Sequence, residues 1–216
     1  MTNKSLLITR PNHDSSTTYL FHWSKPIIGV ARQKNFKIVD LTGDRANKTD
    51  FTGRMKKINP SFVFFNGHGD QAVIMGQNNK ILVSVGKNEK ILRGKIVYAR
   101  SCSSAKKLGP RSIRSGTRAF IGYTEPFIFM YDPQRSTRPL TDKTAALFLK
   151  PSNKVVTTLL KGHSCLEANK RARDGFRRNI RKLLTSESKK EDTETLRFLF
   201  WDMRHQVCLG DPSASL

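Results

Sequence analysis

Apolar residues in the first 125 or so positions come in short continuous runs separated by polar stretches. Residues 5–9, 37–41, 62–66, 96–99 and 117–123 each hold such a run, rich in Ile, Val, Leu and Phe. Continuous runs of this length are expected of strands buried on both faces, as a parallel sheet requires. Between the first two, residues 17–33 place Tyr19, Leu20, Trp23, Ile27, Ile28 and Ala31 in a pattern compatible with a helix. Pro26 is predicted to kink or end that helix, because its ring removes a donor and clashes with the preceding turn. Residues 12–16 offer several N-cap candidates before it. A short helix is predicted over 51–58, stopped near Asn59-Pro60. Residues 72–83 read as a hairpin about Gln77-Asn78-Asn79, and residues 84–92 must then complete the crossover.

Beyond Tyr123 the pattern changes. Phe127 to Met130 form one more apolar piece, and residues 132–139 are a loop by composition. Helices are predicted over 144–161, interrupted at Pro151, then over 164–184 and 194–207, with 185–193 as a polar linker. Cys165 and Cys208 fall in amphipathic helical patterns and read as core. Strand–helix alternation with continuously apolar strands predicts a single α/β domain over 1–216. Its sheet-forming core is expected in 5–130 and its C-terminal helices in 140–212. The expected fold is a three-layer α/β/α sandwich around a mostly parallel sheet of roughly six strands.

Length and composition narrow the picture. A chain of 216 residues can bury one sizeable core. No run approaches the roughly 18 apolar residues needed to cross a bilayer. The apolar part of the first eleven residues is too short for a signal peptide, so a cytoplasmic location is the expectation. Cys102, Cys165 and Cys208 are too few and too far apart for a disulfide framework, and no CxxC pair exists to build a zinc site. Neither metal nor cofactor is expected.

The net charge of +22 predicts attraction to polyanions or acidic proteins. Residues 170–182 are the densest basic stretch, with Ala172, Phe176, Ile180 and Leu184 recurring every fourth position. The plainer reading is an amphipathic helix with a solvated basic face. A nucleic-acid surface is the alternative, though no zinc finger or RNA-binding aromatic motif accompanies it.

Candidate chemistry sits at two strand ends. His68 follows 62–66 in Asn66-Gly67-His68-Gly69-Asp70, and Cys102 follows 96–99 in Arg100-Ser101-Cys102-Ser103-Ser104. In a parallel sheet, residues just past the carboxyl ends of neighbouring strands converge on one rim. A thiol and an imidazole meeting there are a nucleophile and its proton handler. Taken alone, Cys102 reads more readily as a small core residue, and His68 as a loop histidine with a satisfied hydrogen bond.

The ordered blocks resemble the caspase-like superfamily of cysteine peptidases. Phe64-Phe65-Asn66-Gly67-His68-Gly69 is similar to its histidine block and Tyr98-Ala99-Arg100-Ser101-Cys102-Ser103-Ser104-Ala105 to its cysteine block. Phe120-Ile121-Gly122-Tyr123-Thr124 and Cys208-Leu209-Gly210-Asp211-Pro212 resemble the next strand and the ending of the gingipain-like branch, which lies near the CHAT proteases. The resemblance spans about residues 5–212. It implies that Cys102 attacks the scissile carbonyl, that His68 protonates the leaving amine, and that the N–H groups of Gly69 and Cys102 form the oxyanion hole. Ser103 to Ala105 are expected to open a short helix, and no third catalytic residue is required. Asp70 and Ser101 flank the pair and count with Arg100 as substrate-binding candidates.

In the superfamily the position two before the nucleophile reads the side chain ahead of the scissile bond. Arg100 there implies cleavage after Asp or Glu, since a guanidinium holds a carboxylate bidentately. The alternative is that Arg100 pairs with an internal carboxylate. The expected function is an intracellular cysteine endopeptidase acting on proteins or peptides, as a monomer or homodimer. The alternative is an inactive or adaptor caspase-like protein whose basic surface binds nucleic acid or an acidic partner.

Overall fold

A computed structural model describes residues 4–185 and 190–216, with the side chains of residues 190–193 excepted. Six strands make the central sheet: β1 Ser5–Arg10, β2 Lys37–Thr42, β3 Phe62–Asn66, β6 Ile96–Arg100, β7 Ala119–Tyr123 and β8 Gln206–Gly210. Their order is β2-β1-β3-β6-β7-β8, parallel except for β8 against β7. A hairpin of β4 Val73–Met75 and β5 Ile81–Ser84 stands apart, inside the β3-to-β6 crossover. The helices are α1 Ser15–Gln33, α2 Lys48–Ile58, α3 Leu108–Arg114, α4 Lys143–Leu160, α5 Cys165–Thr185 and α6 Lys190–His205.

Period-two alternation within the apolar strands divides the core in two. Leu6, Ile8, Phe62, Phe64, Ile96, Tyr98, Ala119 and Ile121 face α1, α4 and α5. Leu7, Val63, Phe65, Val97, Ala99 and Phe120 face α2, α3 and the hairpin. Both faces are covered, so the central strands β3 and β6 are apolar along Phe62–Phe65 and Ile96–Ala99, and the three-layer α/β/α sandwich follows. Each buried aromatic matters to that packing: removing a Phe side chain from such a core costs about 3–5 kcal/mol. Phe148, Phe176, Ile180 and Leu199 extend the apolar packing outward between α4, α5 and α6.

Several expectations need correction. Pro26 and Pro151 lie inside continuous helices, so neither residue ends its helix. At Pro151 the neighbouring helix accommodates the ring with Gly175, where a Cβ would sit 3.1 Å from Pro151 Cβ. The helix predicted to run to 207 stops at His205, and residues 206–210 become β8. Val207 and Leu209 then turn to one core and Cys208 to the other, an alternation that pairs with the open edge of β7. Cys208 is therefore a strand residue. Of the linker expected over 185–193, Thr185 closes α5 and residues 190–193 open α6; residues 186–189 lie outside the described residues. Among the described residues no helix is long and apolar enough to cross a membrane.

Candidate active site

The β3–β6 pairing is what positions the site. Its parallel register matches Asn66 with Arg100, and the Gly67 N–H carries the ladder one step further to the Arg100 carbonyl at 3.3 Å. His68 and Cys102 each lie two residues beyond that matched pair, so both emerge on the same carboxyl rim. The two loops touch through their neighbours. A Cβ on Gly69 would overlap Ser101 Oγ and come within 2.7 Å of the Val73 carbonyl. Gly69 has no side chain because Ser101 and the hairpin occupy that space, a reason the sequence did not supply.

The hairpin holds the histidine loop from the other side. Gly69 forms an isolated antiparallel bridge with Ile74, whose hydrogen bonds run from Asp70 N–H to the Val73 carbonyl (3.0 Å) and from Met75 N–H to the His68 carbonyl (2.9 Å). Neither bond uses the Gly69 amide. Asp70, expected near substrate, turns its Oδ1 back to accept the N–H groups of Ala72 (2.7 Å) and Val73 (2.9 Å). It closes the turn that starts the hairpin. Ser101 Oγ is buried and accepts or donates no hydrogen bond among the described residues.

His68 has a partner that sequence reading missed. Its Nε2 lies 2.6 Å from Oδ2 of Asp14. Asp14 caps α1, and its Oδ1 accepts the Thr17 N–H at 2.7 Å and the Thr17 hydroxyl at 2.9 Å. Those bonds hold one carboxylate oxygen and aim the other at His68. Burial pushes the Asp14 carboxyl up, but hydrogen bonds from Thr17 and from His68 outweigh it, and the net direction is below the usual carboxylate range. An ionised carboxylate only accepts, so the Nε2–H of His68 donates and Nδ1 is left outside that bond. The available signal was positional: Asp14 follows β1, the other neighbour of β3, just as Cys102 follows β6.

Cys102 is half-buried beneath the segment after β7. Its thiol donates to the Phe127 carbonyl at 3.8 Å, and Ser103 N–H donates to the Glu125 carbonyl at 3.1 Å. Two residues of α6 fasten that segment: Trp201 Nε1–H donates to the Pro126 carbonyl (2.9 Å), and Asp202 Oδ1 accepts the Ile128 N–H (3.1 Å). Burial raises the thiol pKa and the Phe127 hydrogen bond counters it, while the nearby Asp202 adds to the rise. The resting sulfur is a protonated thiol. No helix begins at Ser103 to Ala105 as expected: Ser103 adopts a left-handed φ of 50° and α3 starts only at Leu108, so no helix N-terminus acidifies Cys102.

Arg100 requires the largest correction. It is 0 % exposed, beneath the rim and not at its surface. Its Nε and Nη2 donate to Asn66 Oδ1 (2.8 and 2.6 Å), and its Nη1 donates to Ser152 Oγ (2.9 Å) and Asn153 Oδ1 (2.7 Å). Asn66 in turn donates to the Leu20 carbonyl (3.0 Å) and Asn153 to the Trp23 carbonyl (2.7 Å). The guanidinium therefore ties α1 and α4 to the sheet, and no donor faces an incoming carboxylate. Nor does it pair with an internal carboxylate; its acceptors are amides and a hydroxyl.

The fold is a three-layer α/β/α sandwich around a mostly parallel six-stranded sheet, the architecture expected of a caspase-like fold. No protein-family model and no curated protein matches the chain. Among solved structures, the fold is similar to the complex of Porphyromonas gingivalis RgpB pro- and mature domains, with a TM-score of 0.61 and 12% sequence identity. That match covers 99% of this chain and 48% of the other, so the chain spans about half its length. At this identity the likeness is one of fold.

Proposed function

We propose that the protein is a cysteine endopeptidase in which Cys102 is the nucleophile and His68 the proton carrier, with Asp14 positioning the imidazole. One observation carries the reading: β3 and β6 are adjacent and parallel, and His68 and Cys102 stand at equal offsets beyond their matched ends. The fold likeness to RgpB supports it. A substrate strand displaces the Phe127 carbonyl from Cys102. The sulfur then attacks the scissile carbonyl carbon as its proton passes through His68 to the leaving amine, and a thioester and a free amine result. Water hydrolyses the thioester and restores the thiol. The amides of Gly69 and Cys102 would receive the developing oxyanion. Asp14 keeps the Nε2–H of His68 fixed, so Nδ1 carries the proton.

The test is covalent labelling by a peptide bearing a thiol-directed warhead. Wild type should be labelled on Cys102, and Cys102→Ala should not. Labelling spread equally over Cys165 and Cys208 would count against the assignment.

A second reading has its own observation. A cleft of about 480 Å3 between α4 and α5 is lined by Lys143, Lys150, Lys154, Arg178 and Lys182, with no carboxylate among its lining residues. A caspase-like scaffold binding nucleic acid or an acidic protein would use such a surface. Salt-sensitive RNA or DNA binding that survives Cys102→Ala would favour it.

A further inference from the structure

We propose that His13, Asp14 and His68 form a binding site for a transition-metal ion of the Zn2+ type, and that the bound ion holds the peptidase off by occupying His68. The regulatory half rests on the peptidase reading; the binding half stands without it. His13 and Asp14 are consecutive on the turn after β1, and His68 follows β3 next door. One ligand atom from each lies within 4.8 Å of the other two. Asp14 Oδ2 is 2.6 Å from His68 Nε2 and 3.5 Å from His13 Nε2. The two imidazoles meet edge to face, with centroids 5.8 Å apart and planes at 68°.

Two imidazole nitrogens and one carboxylate oxygen are the donor set of an open zinc site, in which three protein ligands leave a fourth position for water. Tetrahedral Zn2+ at bond lengths of about 2.0–2.1 Å separates its ligand atoms by roughly 3.3 Å. The His13–Asp14 spacing already suits that geometry, and the Asp14–His68 contact opens by several tenths of an ångström to admit the ion. The carboxylate is prepared for this role because Thr17 engages Oδ1 and leaves Oδ2 free of the cap. The His13 backbone is held by its N–H bond to Thr17 Oγ1 at 3.0 Å, and its Nε2, which faces Asn79 Oδ1 at 3.3 Å, exchanges that contact for the ion. The His68 and Asp14 side chains are 34% and 39% exposed, so the fourth position opens to water.

Chemistry selects the ion class. Calcium and magnesium prefer an all-oxygen shell with several carboxylates, and here a single carboxylate sits in a chain of net charge +22. Only an ion with strong affinity for imidazole overcomes that field. Bound metal and the Asp14–His68 hydrogen bond exclude one another, because both use the same Nε2 and Oδ2 atoms.

The test is Zn2+ titration of the chelator-treated full chain, followed by competition with a chromophoric chelator and, separately, by peptidase rate. Wild type should bind one ion. Loss of an outer-shell partner alone weakens zinc sites by about tenfold or more, so His13→Gln should weaken binding by at least that factor. In metal-free buffer His13→Gln should keep wild-type activity, and it should need correspondingly more Zn2+ for inhibition. Asp14→Ser retains a capping hydroxyl and should also lose Zn2+, which guards against a folding defect in a single variant. Cys102→Ala should bind as wild type does. Equal Zn2+ affinity in wild type and His13→Gln, or loss of binding in Cys102→Ala, would overturn the site. Zn2+ binding that depends on His13 in a protein with no peptidase activity would uphold the site and sink the peptidase reading instead.

Discussion

Asp14, the cap of the first helix, receives the imidazole N–H of His68 at 2.6 Å, so a helix terminus from one strand and a histidine from the next form a single unit. Capping and positioning can be separated by substitution. Asn caps a helix about as well as Asp, whereas Ala costs roughly 1 kcal/mol. Asp14→Asn should therefore unfold in urea near the wild-type midpoint, and Asp14→Ala should fall by about 1 kcal/mol. Both should lower kcat by about a hundredfold or more with little change in KM, the scale of a displaced acid–base group.

Cys102 rests as a thiol under the 125–128 segment. Alkylation by iodoacetamide, read on the Cys102 peptide by mass spectrometry, should rise with pH to a midpoint above the ordinary thiol value of about 8.5. Trp201→Ala removes the donor to the Pro126 carbonyl. It should speed Cys102 alkylation several-fold at fixed pH while changing global stability by about 1 kcal/mol or less. A wild-type midpoint below neutrality would show an activated thiolate and contradict the resting state described.

Asp202 is fully buried, and burial pushes its carboxyl well above the ordinary range despite the Ile128 hydrogen bond. Oδ2 has no hydrogen-bond partner among the described residues. In the unfolded chain the same group ionises near pH 3.9. A raised folded pKa gives stability that is complete below the unfolded pKa and lost as pH rises toward the folded one. Asp202→Asn removes that loss and retains an acceptor for Ile128. Its urea midpoint should gain on wild type steadily from pH 4.5 to 8; a constant difference across that range would rule out the titration.

Arg100 is a structural pin, so its removal should be felt in folding and not in substrate preference. Breaking a buried, hydrogen-bonded charge typically costs about 3 kcal/mol or more. Arg100→Lys cannot reproduce the forked contacts to Asn66, Ser152 and Asn153, and should lower the urea midpoint markedly. A peptide-cleavage profile that switched from acidic residues in wild type to another class in Arg100→Lys would restore the reader role.

Much of the fold was legible because buried parallel strands leave an unambiguous mark: Phe62 to Phe65 and Ile96 to Ala99 are apolar at every position, and only a sheet covered twice asks for that. Strand adjacency, on which the His68–Cys102 pairing depends, is a condition that the β3–β6 pairing meets; a crossover alone does not fix it, since β2 and β3 are joined by one and have β1 between them. What escaped was set by tertiary partners. Residues 206–210 carry a weak helical pattern but meet the free edge of β7, and an edge decides in favour of a strand. Asp14 looked like one of several caps, and only the third dimension shows its second oxygen turned to His68. Arg100 stood at a position that family likeness makes a reader, while the amides of Asn66 and Asn153, remote in sequence, enclose it.

The most direct measurement is mass spectrometry of a complex peptide library incubated with wild type, Cys102→Ala and His68→Ala. New peptide termini are expected with wild type and none above background with either variant. New termini that persist in Cys102→Ala, or a library left intact by wild type over hours at neutral pH, would contradict the peptidase reading.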